Sequence, residues 1–404
     1  MELYLDEKHQ RLRADVREFA DSEIVPIAAE YDVHCRFPWD NIRKMADRGY
    51  FGVNVPEEYG GIGLDYLSYI LVIEEISRAD ASHGITISAH STLGMSPIVN
   101  FGTEEQKRRF VPLLASGRVL AGFGLTEPGS GSDSGGSRTV GVRENGGWRL
   151  SGSKIFITHA GVGEVFVVTA VTDRDSGTSG ISSFIVTKPT TDLEEAERVG
   201  VGHAEELAPF TAGVRAGKKE DKMGWRASDT RELLLDDVDV PAENLLGGEG
   251  EGFVNFMKTL DSGRIGIGAL ALGLAQGAFD EALRFSGKRH QFERPIRDFQ
   301  GVQFSLADMA TEIEAGRHLI YHAAWLKERG RPYGKQASMA KLYTSELAMR
   351  TTTRAVQLMG AYGYTNEYPV ERMMRDAKVC EIGEGTSEIQ RMLIARSLFQ
   401  EEQE

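Results

Sequence analysis

The hydrophobic period changes twice along this 404-residue chain, and that double change constrains the fold more than any single motif. Through residue 120 apolar residues recur at helical spacing: Leu5, Leu12, Val16 and Phe19 stand seven, four and three apart. The stretches 66–78 and 103–117 read as two further helices, and Thr103 with Gln106 three residues on is a capping-box signature for the second. From 121 to 245 the pattern is that of strands. Residues 140–158 are two extended runs around Asn145-Gly146-Gly147, a hairpin signal, and β-branched runs follow at 165–172, 181–187 and 231–240. From 246 to 404 the chain is helical again, with long amphipathic stretches at 253–290, 299–330 and 338–363. These textures predict a mainly α protein with an inserted β-domain: an N-terminal helical domain (1–120), a β-domain (121–245) and a C-terminal helical bundle (246–404).

The formal charge is −14, which argues against general nucleic-acid or anionic-membrane binding while leaving room for a local basic pocket. Two cysteines exclude a disulfide framework and point to a reducing, intracellular compartment. The polar, acidic N-terminus does not read as a secretory signal. The longest apolar run, 265–275, is far short of a membrane span.

Four segments carry possible chemistry. Residues 121–136, "AGFGLTEPGSGSDSGG", are either a flexible loop or a backbone cradle for a phosphate or a heteroaromatic ring; they match neither a Walker A loop nor the dinucleotide fingerprint. Lys288, Arg289, His290 and Arg294 form a basic cluster that fits a solvated helix end or a phosphate site equally. Asp261 and Arg264 read as the N-terminus of an apolar helix, or as a polar anchor for a long ligand. Glu384 stands between Gly383 and Gly385, just before a helix start marked by Ser387 and Gln390, so its carboxylate has room to face something. His318 and His322 lie four apart, but the glutamate of a zinc-binding helix motif is missing and no third ligand is evident, so they read as structural and no metal is expected.

Together "VPEEYGG" (55–61), "LTEPGSGSD" (125–133), "SDTRELLLDDVDVPAENLLG" (228–247), "QFERPI" (291–296), "AVQLMGAYGY" (355–364) and "MRDAKVCEIGEGTSEIQR" (374–391) resemble segments of the acyl-CoA dehydrogenase family, in order and over some 340 residues. The resemblance implies a helical domain, a β-barrel-like domain and a four-helix bundle. It implies FAD-dependent α,β-dehydrogenation of an acyl-CoA thioester, with Glu384 as the base for the α-proton and flavin N5 as the hydride acceptor. Members that place the base elsewhere carry it at the position of Gly263, which has no carboxylate here. By position, Phe123, Leu125, Thr126, Gly131 and Ser132 would line the flavin, Ser132 also on the CoA side, and Phe156, Ile157 and Thr158 would pack on its ring. Arg289, Gln291, Phe299, Gln300, Gln357, Leu358, Gly360 and Ala361 match further FAD contacts, those of Arg289 and Gln291 reaching into a neighbouring subunit of a homotetramer. Thr386 and Glu388 match contacts after the base, and Asp261, Arg264 and Gly385 match substrate contacts. An electron-transferring flavoprotein is the implied acceptor, and the cytoplasm the implied compartment.

Two departures from the family pattern matter. Gly383 replaces a common tyrosine, which predicts a wider pocket suited to short, branched or cyclic acyl groups. Residues 192–213 form a longer, acidic stretch, which reads as a surface excursion or as a segment that shapes the CoA entrance or a partner surface. The rival readings are an acyl-CoA oxidase and a non-catalytic flavin- or acyl-CoA-binding relative.

Overall fold

The computed structural model describes residues 4–202 and 210–403. The chain begins with α1 (Glu7–Phe19), α2 (Ala28–His34), α3 (Trp39–Asp47), α4 (Tyr66–Ala79), α5 (Ala81–Ser88), α6 (Ser96–Phe101) and α7 (Glu104–Ala115). The expected capping box opens α7: Gln106 N–H donates to Thr103 Oγ1 at 3.2 Å and Thr103 N–H to Gln106 Oε1 at 2.9 Å. Between α5 and α6 the backbone widens into a π-helical segment, Ala89–Met95. Such widenings recur at functional sites, and this one lies between the two halves of the site described below.

The central sheet contains β1 (Ala121–Gly124), β2 (Val140–Glu144), β3 (Gly147–Thr158), β4 (Val165–Val171), β5 (Ile181–Thr187), β6 (Val214–Lys219), β7 (Thr230–Val240) and β8 (Leu245–Leu246). Its order is β6-β7-β3-β2-β4-β5-β8, with β1 parallel to β4. The β2–β3 hairpin turns at Asn145 and Gly146, both at positive φ (50° and 79°), the backbone that a two-residue turn between right-twisted strands requires. The acidic stretch is more than a surface excursion. Its residues 193–199 form a helix, α8 (Leu193–Val199), whose Ala196 and Val199 join the buried core; Arg43 of α3 donates to Val199 O at 2.7 Å, and Arg198 pairs with Asp40 at 2.9 Å. Apolar residues at helical spacing within the acidic run permit this docking. Residues 203–209 of the stretch lie outside the described residues.

The C-terminal part holds α9 (Gly252–Lys288), a short hairpin of β9 (His290–Gln291) and β10 (Arg294–Pro295), then α10 (Gln300–Glu328), α11 (Gly334–Met359), α12 (Ala361–Tyr364), α13 (Val370–Cys380) and α14 (Ser387–Glu401). Helix α9 is its axis. Residues 262–275 are buried without a break, so this stretch is covered on all sides. Small residues permit it: a Cβ on Gly273 would lie 2.3 Å from the Glu74 carbonyl of α4, and one on Gly268 would lie 2.4 Å from Ile320 of α10. Asp261 and Arg264 were expected at a helix N-terminus. They sit instead in the third and fourth turns of α9, because nothing in 253–260 breaks the helix. The bundle is tied to the N-terminal helices through buried Glu74, which accepts from Arg317 Nε at 3.0 Å, Tyr321 Oη at 2.7 Å and Arg13 Nη2 at 3.2 Å. Among the described residues no helix is long and apolar enough to cross a membrane.

Candidate active site

Helix α13 ends at Cys380, and residues 381–386 turn the chain into α14. The expected cap, Ser387, is already helical and its hydroxyl has no partner among the described residues; Thr386 caps instead, its Oγ1 accepting from Ile389 N–H at 3.3 Å. Gln390, free of the capping box, donates to the Gly385 carbonyl at 2.9 Å and the Glu384 carbonyl at 3.3 Å. Lys341 of α11 donates to the same Gly385 carbonyl at 2.7 Å. These bonds hold Glu384 at a φ of +54°, a strained conformation for a residue with a side chain.

Both Glu384 carboxylate oxygens are buried and have no hydrogen-bond partner among the described residues. Burial raises the carboxyl to about 7, against the opposing pull of Lys341 and Arg264. The carboxylate faces α9 at Gly263. A Cβ built there would lie 2.0 Å from Glu384 Oε2 and 3.1 Å from Leu93 Cδ2. Positions 263 and 384 therefore compete for one volume, and the carboxylate fits because residue 263 has no side chain. One residue on, Arg264 is buried and pairs through Nη1 with Asp261, its Nε unpartnered among the described residues. Burial lowers the Arg264 guanidinium and raises the Asp261 carboxyl. Tyr66 donates to the Ser262 carbonyl at 2.9 Å, and Ser262 Oγ meets Tyr333 Oη at 3.0 Å. Among the described residues a Cβ on Gly383 would meet a single neighbour, the Val379 carbonyl at an ordinary contact distance of 3.6 Å, so room is left there.

Leu93 belongs to the π-helical segment, and its neighbour Gly94 presses on β1: a Cβ on Gly94 would lie 2.4 Å from that of Ala121. The two faces of this segment thus connect Glu384 with the strand that leads into the Gly/Ser loop. On that strand Phe123 stacks against Phe256 at 4.0 Å. The loop is tied to β3 by Ile155 N–H donating to the Thr126 carbonyl at 2.8 Å. Beneath it, buried Lys154 donates to Glu127 Oε1 at 2.7 Å, and Glu127 also accepts from Ser137 Oγ and the N–H groups of Arg138 and Thr139. Gly131 and Ser132 stay exposed, Leu125 and Thr126 half-buried. Register shifts in β3 between Lys154 and Ile157, so that Phe156 stands outward at a φ of +57° with 62% of its surface exposed, while Ile157 points into the core and Thr158 is half-buried. An exposed aromatic on a bulge beside a glycine- and serine-rich loop fits a planar ring lying against this face; the residues present fit a flavin.

The other expected cofactor contacts lie elsewhere. Arg289 stacks over Tyr362 at 5.4 Å, and Arg294 over Phe299 at 4.1 Å. These stacks gather Arg289, Gln291, Phe299, Gln300 and the corner Gln357, Leu358, Gly360 and Ala361 near the far end of α9. The 25 residue-to-residue rises of helix from Gly263 to Lys288 span roughly 37 Å at 1.5 Å each. Most of this second set is exposed. Glu388 is exposed on the first turn of α14. His318 lies 3.5 Å from Glu314 and His322 stacks on Trp325.

Sequence reasoning named neither Lys341 nor the Glu127–Lys154 pair. A signal for Lys341 was present: it falls on the stripe Ala337, Lys341, Thr344, Ala348 and Thr351, the buried side of α11. No signal in sequence spacing pairs residues 27 apart across a loop.

Models for the N-terminal, middle and C-terminal domains of acyl-CoA dehydrogenases match residues 6–118, 122–238 and 250–399. The short-chain-specific acyl-CoA dehydrogenase of Clostridium acetobutylicum is 48% identical over 399 residues, covering 99% of this chain and 100% of that protein. The butyryl-CoA dehydrogenase structure from Megasphaera elsdenii superposes with a TM-score of 0.91 at 42% identity, covering 98% of this chain and 99% of that one. A chain solved in work on the electron transferring flavoprotein of Acidaminococcus fermentans and flavin-based electron bifurcation superposes at 0.92 with 46% identity and the same coverage.

Proposed function

The chain belongs to the acyl-CoA dehydrogenase family, and from that premise we propose that Glu384 is the base that takes the α-proton of a short acyl-CoA thioester. The protein is an FAD-dependent oxidoreductase that converts acyl-CoA to 2-enoyl-CoA. The observation that carries the assignment of the base is the buried Glu384 carboxylate, unpartnered among the described residues and seated on Gly263. A carboxyl near 7 is matched to proton abstraction at neutral pH, and a carboxylate without donors keeps its lone pairs for the substrate. The chemistry FAD supplies there is acceptance of the β-hydrogen as hydride. Phe123, Leu125, Thr126, Gly131, Ser132, Phe156, Ile157 and Thr158 would form the wall that positions it. Asp261, Arg264, Ser132 and Gly385 would hold the thioester's CoA side, so that the α-carbon lies between Glu384 and that wall.

The exposed second set, from Arg289 to Ala361, would complete the FAD site of a neighbouring copy. Its distance along α9 supports that reading and, with it, a homotetramer. The solved relative described with an electron transferring flavoprotein supports such a protein as electron acceptor. Two free cysteines support a reducing compartment, the cytoplasm. Room at Gly383 supports short branched or cyclic acyl groups beside butyryl. Anaerobic titration of the flavin-bound protein with butyryl-, hexanoyl-, isobutyryl-, 2-methylbutyryl-, cyclohexanecarboxyl- and glutaryl-CoA tests this. Bleaching of the flavin by butyryl-CoA and at least one branched thioester is expected. A preference for straight chains above about tenfold, 1.4 kcal/mol, would remove the argument from Gly383.

A further inference from the structure

One charged group beside Glu384 has no part in the reading above. Lys341 lies on the buried stripe of α11 and its side chain is fully buried. A buried ammonium is retained only where bonds or opposite charges compensate its lost hydration. Its hydrogen bond runs to the Gly385 carbonyl at 2.7 Å, on the residue that follows the base. Facing the ammonium are Glu384, Glu381 and Cys380 from the α13–α14 turn and Arg264 from α9. Facing Glu384 are Lys341, Arg264 and, from α4, Tyr66 and Tyr69. Arg264 is already paired with Asp261. Lys341 has no such carboxylate partner: among the described residues its bond is to a neutral carbonyl.

We propose that Lys341 is a positioning residue for the reaction: its ammonium pins the strained base turn at the Gly385 carbonyl and is the uncommitted positive charge opposite the Glu384 carboxylate. The inference rests on the reading of Glu384 as the base. Two consequences follow from the geometry. Without the ammonium the carboxylate loses the charge that opposes its burial, so its protonation persists to higher pH and the acid limb of the rate profile moves up. Without the hydrogen bond the turn that holds Glu384 at positive φ loosens, and the carboxylate leaves its seat on Gly263. Burial brings the Lys341 ammonium itself down to about 8, against the pull of Cys380 and Glu384. The wild type therefore surrenders the same charge above that pH.

The test is kcat/KM for butyryl-CoA against pH in flavin-bound wild type, Lys341→Met, Lys341→Gln, Lys341→Arg and Glu384→Gln, with FAD content measured for each. Lys341→Met is expected to move the acid limb up by about one pH unit, to fall about fivefold or more at pH 7 and to keep only a smaller loss above pH 8, where the wild type has given up the charge but still makes the hydrogen bond. Lys341→Arg, which keeps the charge, should keep the limb in place; Lys341→Gln, which keeps a donor without charge, should shift it. A Lys341→Met profile that coincides with the wild type overturns the proposal, as does an equal loss at every pH that arginine does not rescue. Should Lys341→Met fail to retain FAD, the Arg and Gln variants decide: separate limbs support the proposal and coincident limbs overturn it. Turnover retained by Glu384→Gln would overturn the reading of the base, and this inference with it.

Discussion

Glu127 and Glu384 are both glutamates buried beside a buried lysine, and they have opposite chemistry. Glu127 accepts bonds from Lys154, Ser137, Arg138 and Thr139. Burial alone would raise its carboxyl, but the Lys154 charge and these bonds bring it down to about 2. The Glu384 carboxylate accepts none among the described residues, and burial takes it to about 7 although Lys341 and Arg264 oppose. The difference lies in where the donors point. Lys154 is aimed at the carboxylate of its glutamate; Lys341 is aimed past the carboxylate, at the next carbonyl. A satisfied carboxylate clamps a loop, while one surrounded by charge but denied donors is kept reactive.

The largest break in this comparison should come from Glu384→Gln. Amide for carboxylate keeps the shape and removes the base, so kcat should fall by roughly 10²–10⁴-fold, the usual contribution of a positioned base, with FAD content unchanged. In the wild type, kcat/KM should rise as pH passes through about 7, because the carboxylate must be ionised to take a proton. Glu127→Ala should do the reverse. It leaves Lys154 buried and uncompensated, which costs about 3–5 kcal/mol. The measurable outcome is a lower unfolding midpoint and lost FAD rather than a shifted pH profile. Replacing both partners by apolar residues, Glu127→Leu with Lys154→Met, should recover most of that stability. If Glu127→Ala instead left stability intact and slowed only the chemical step, the division between clamp and base would be wrong.

Gly263→Ala probes the seat rather than the base. Its methyl would lie within 2.0 Å of Glu384 Oε2, so the carboxylate must move. A displacement of about 1 Å is enough for roughly a 10²-fold loss. Stopped-flow flavin reduction should show the loss, with circular dichroism unchanged.

The same contrast explains what could be read beforehand. Helices α1, α4, α7 and α9 to α11 declare themselves through long apolar periodicity, and the β2–β3 hairpin through Asn145-Gly146. Glu384 stood out through its flanking glycines, and its role through family resemblance. What stayed hidden depends on pairs distant in sequence. Lys154 and Glu127 close a loop from either side, 27 residues apart, and Lys341 reaches Gly385 across 44. Local composition carries no information about either. The stretch from 253 marked the start of α9 to within a residue, but the polar pair Asp261 and Arg264 imitates a first turn inside it, although each is compensated by the other within the helix. The stretch 192–213 was taken for a surface excursion because its charges outnumber the few apolar residues that dock α8.

The smallest effect separates the two candidate caps of α14. Thr386 makes the capping bond in the folded chain, whereas the spacing of Ser387 and Gln390 in the sequence points one residue later. Thr386→Ala should therefore lower stability by about 1 kcal/mol, and Ser387→Ala by much less, since the Ser387 hydroxyl has no partner among the described residues. Neither should move the acid limb of the rate profile, because the base turn is fixed from outside the helix by Lys341 and from its first turn by Gln390. The reverse order, with Ser387→Ala the more damaging, would mean that Gln390 serves the cap rather than the turn. Glu384 would then owe its strained backbone to Lys341 alone, and the loss caused by Lys341→Met should grow accordingly.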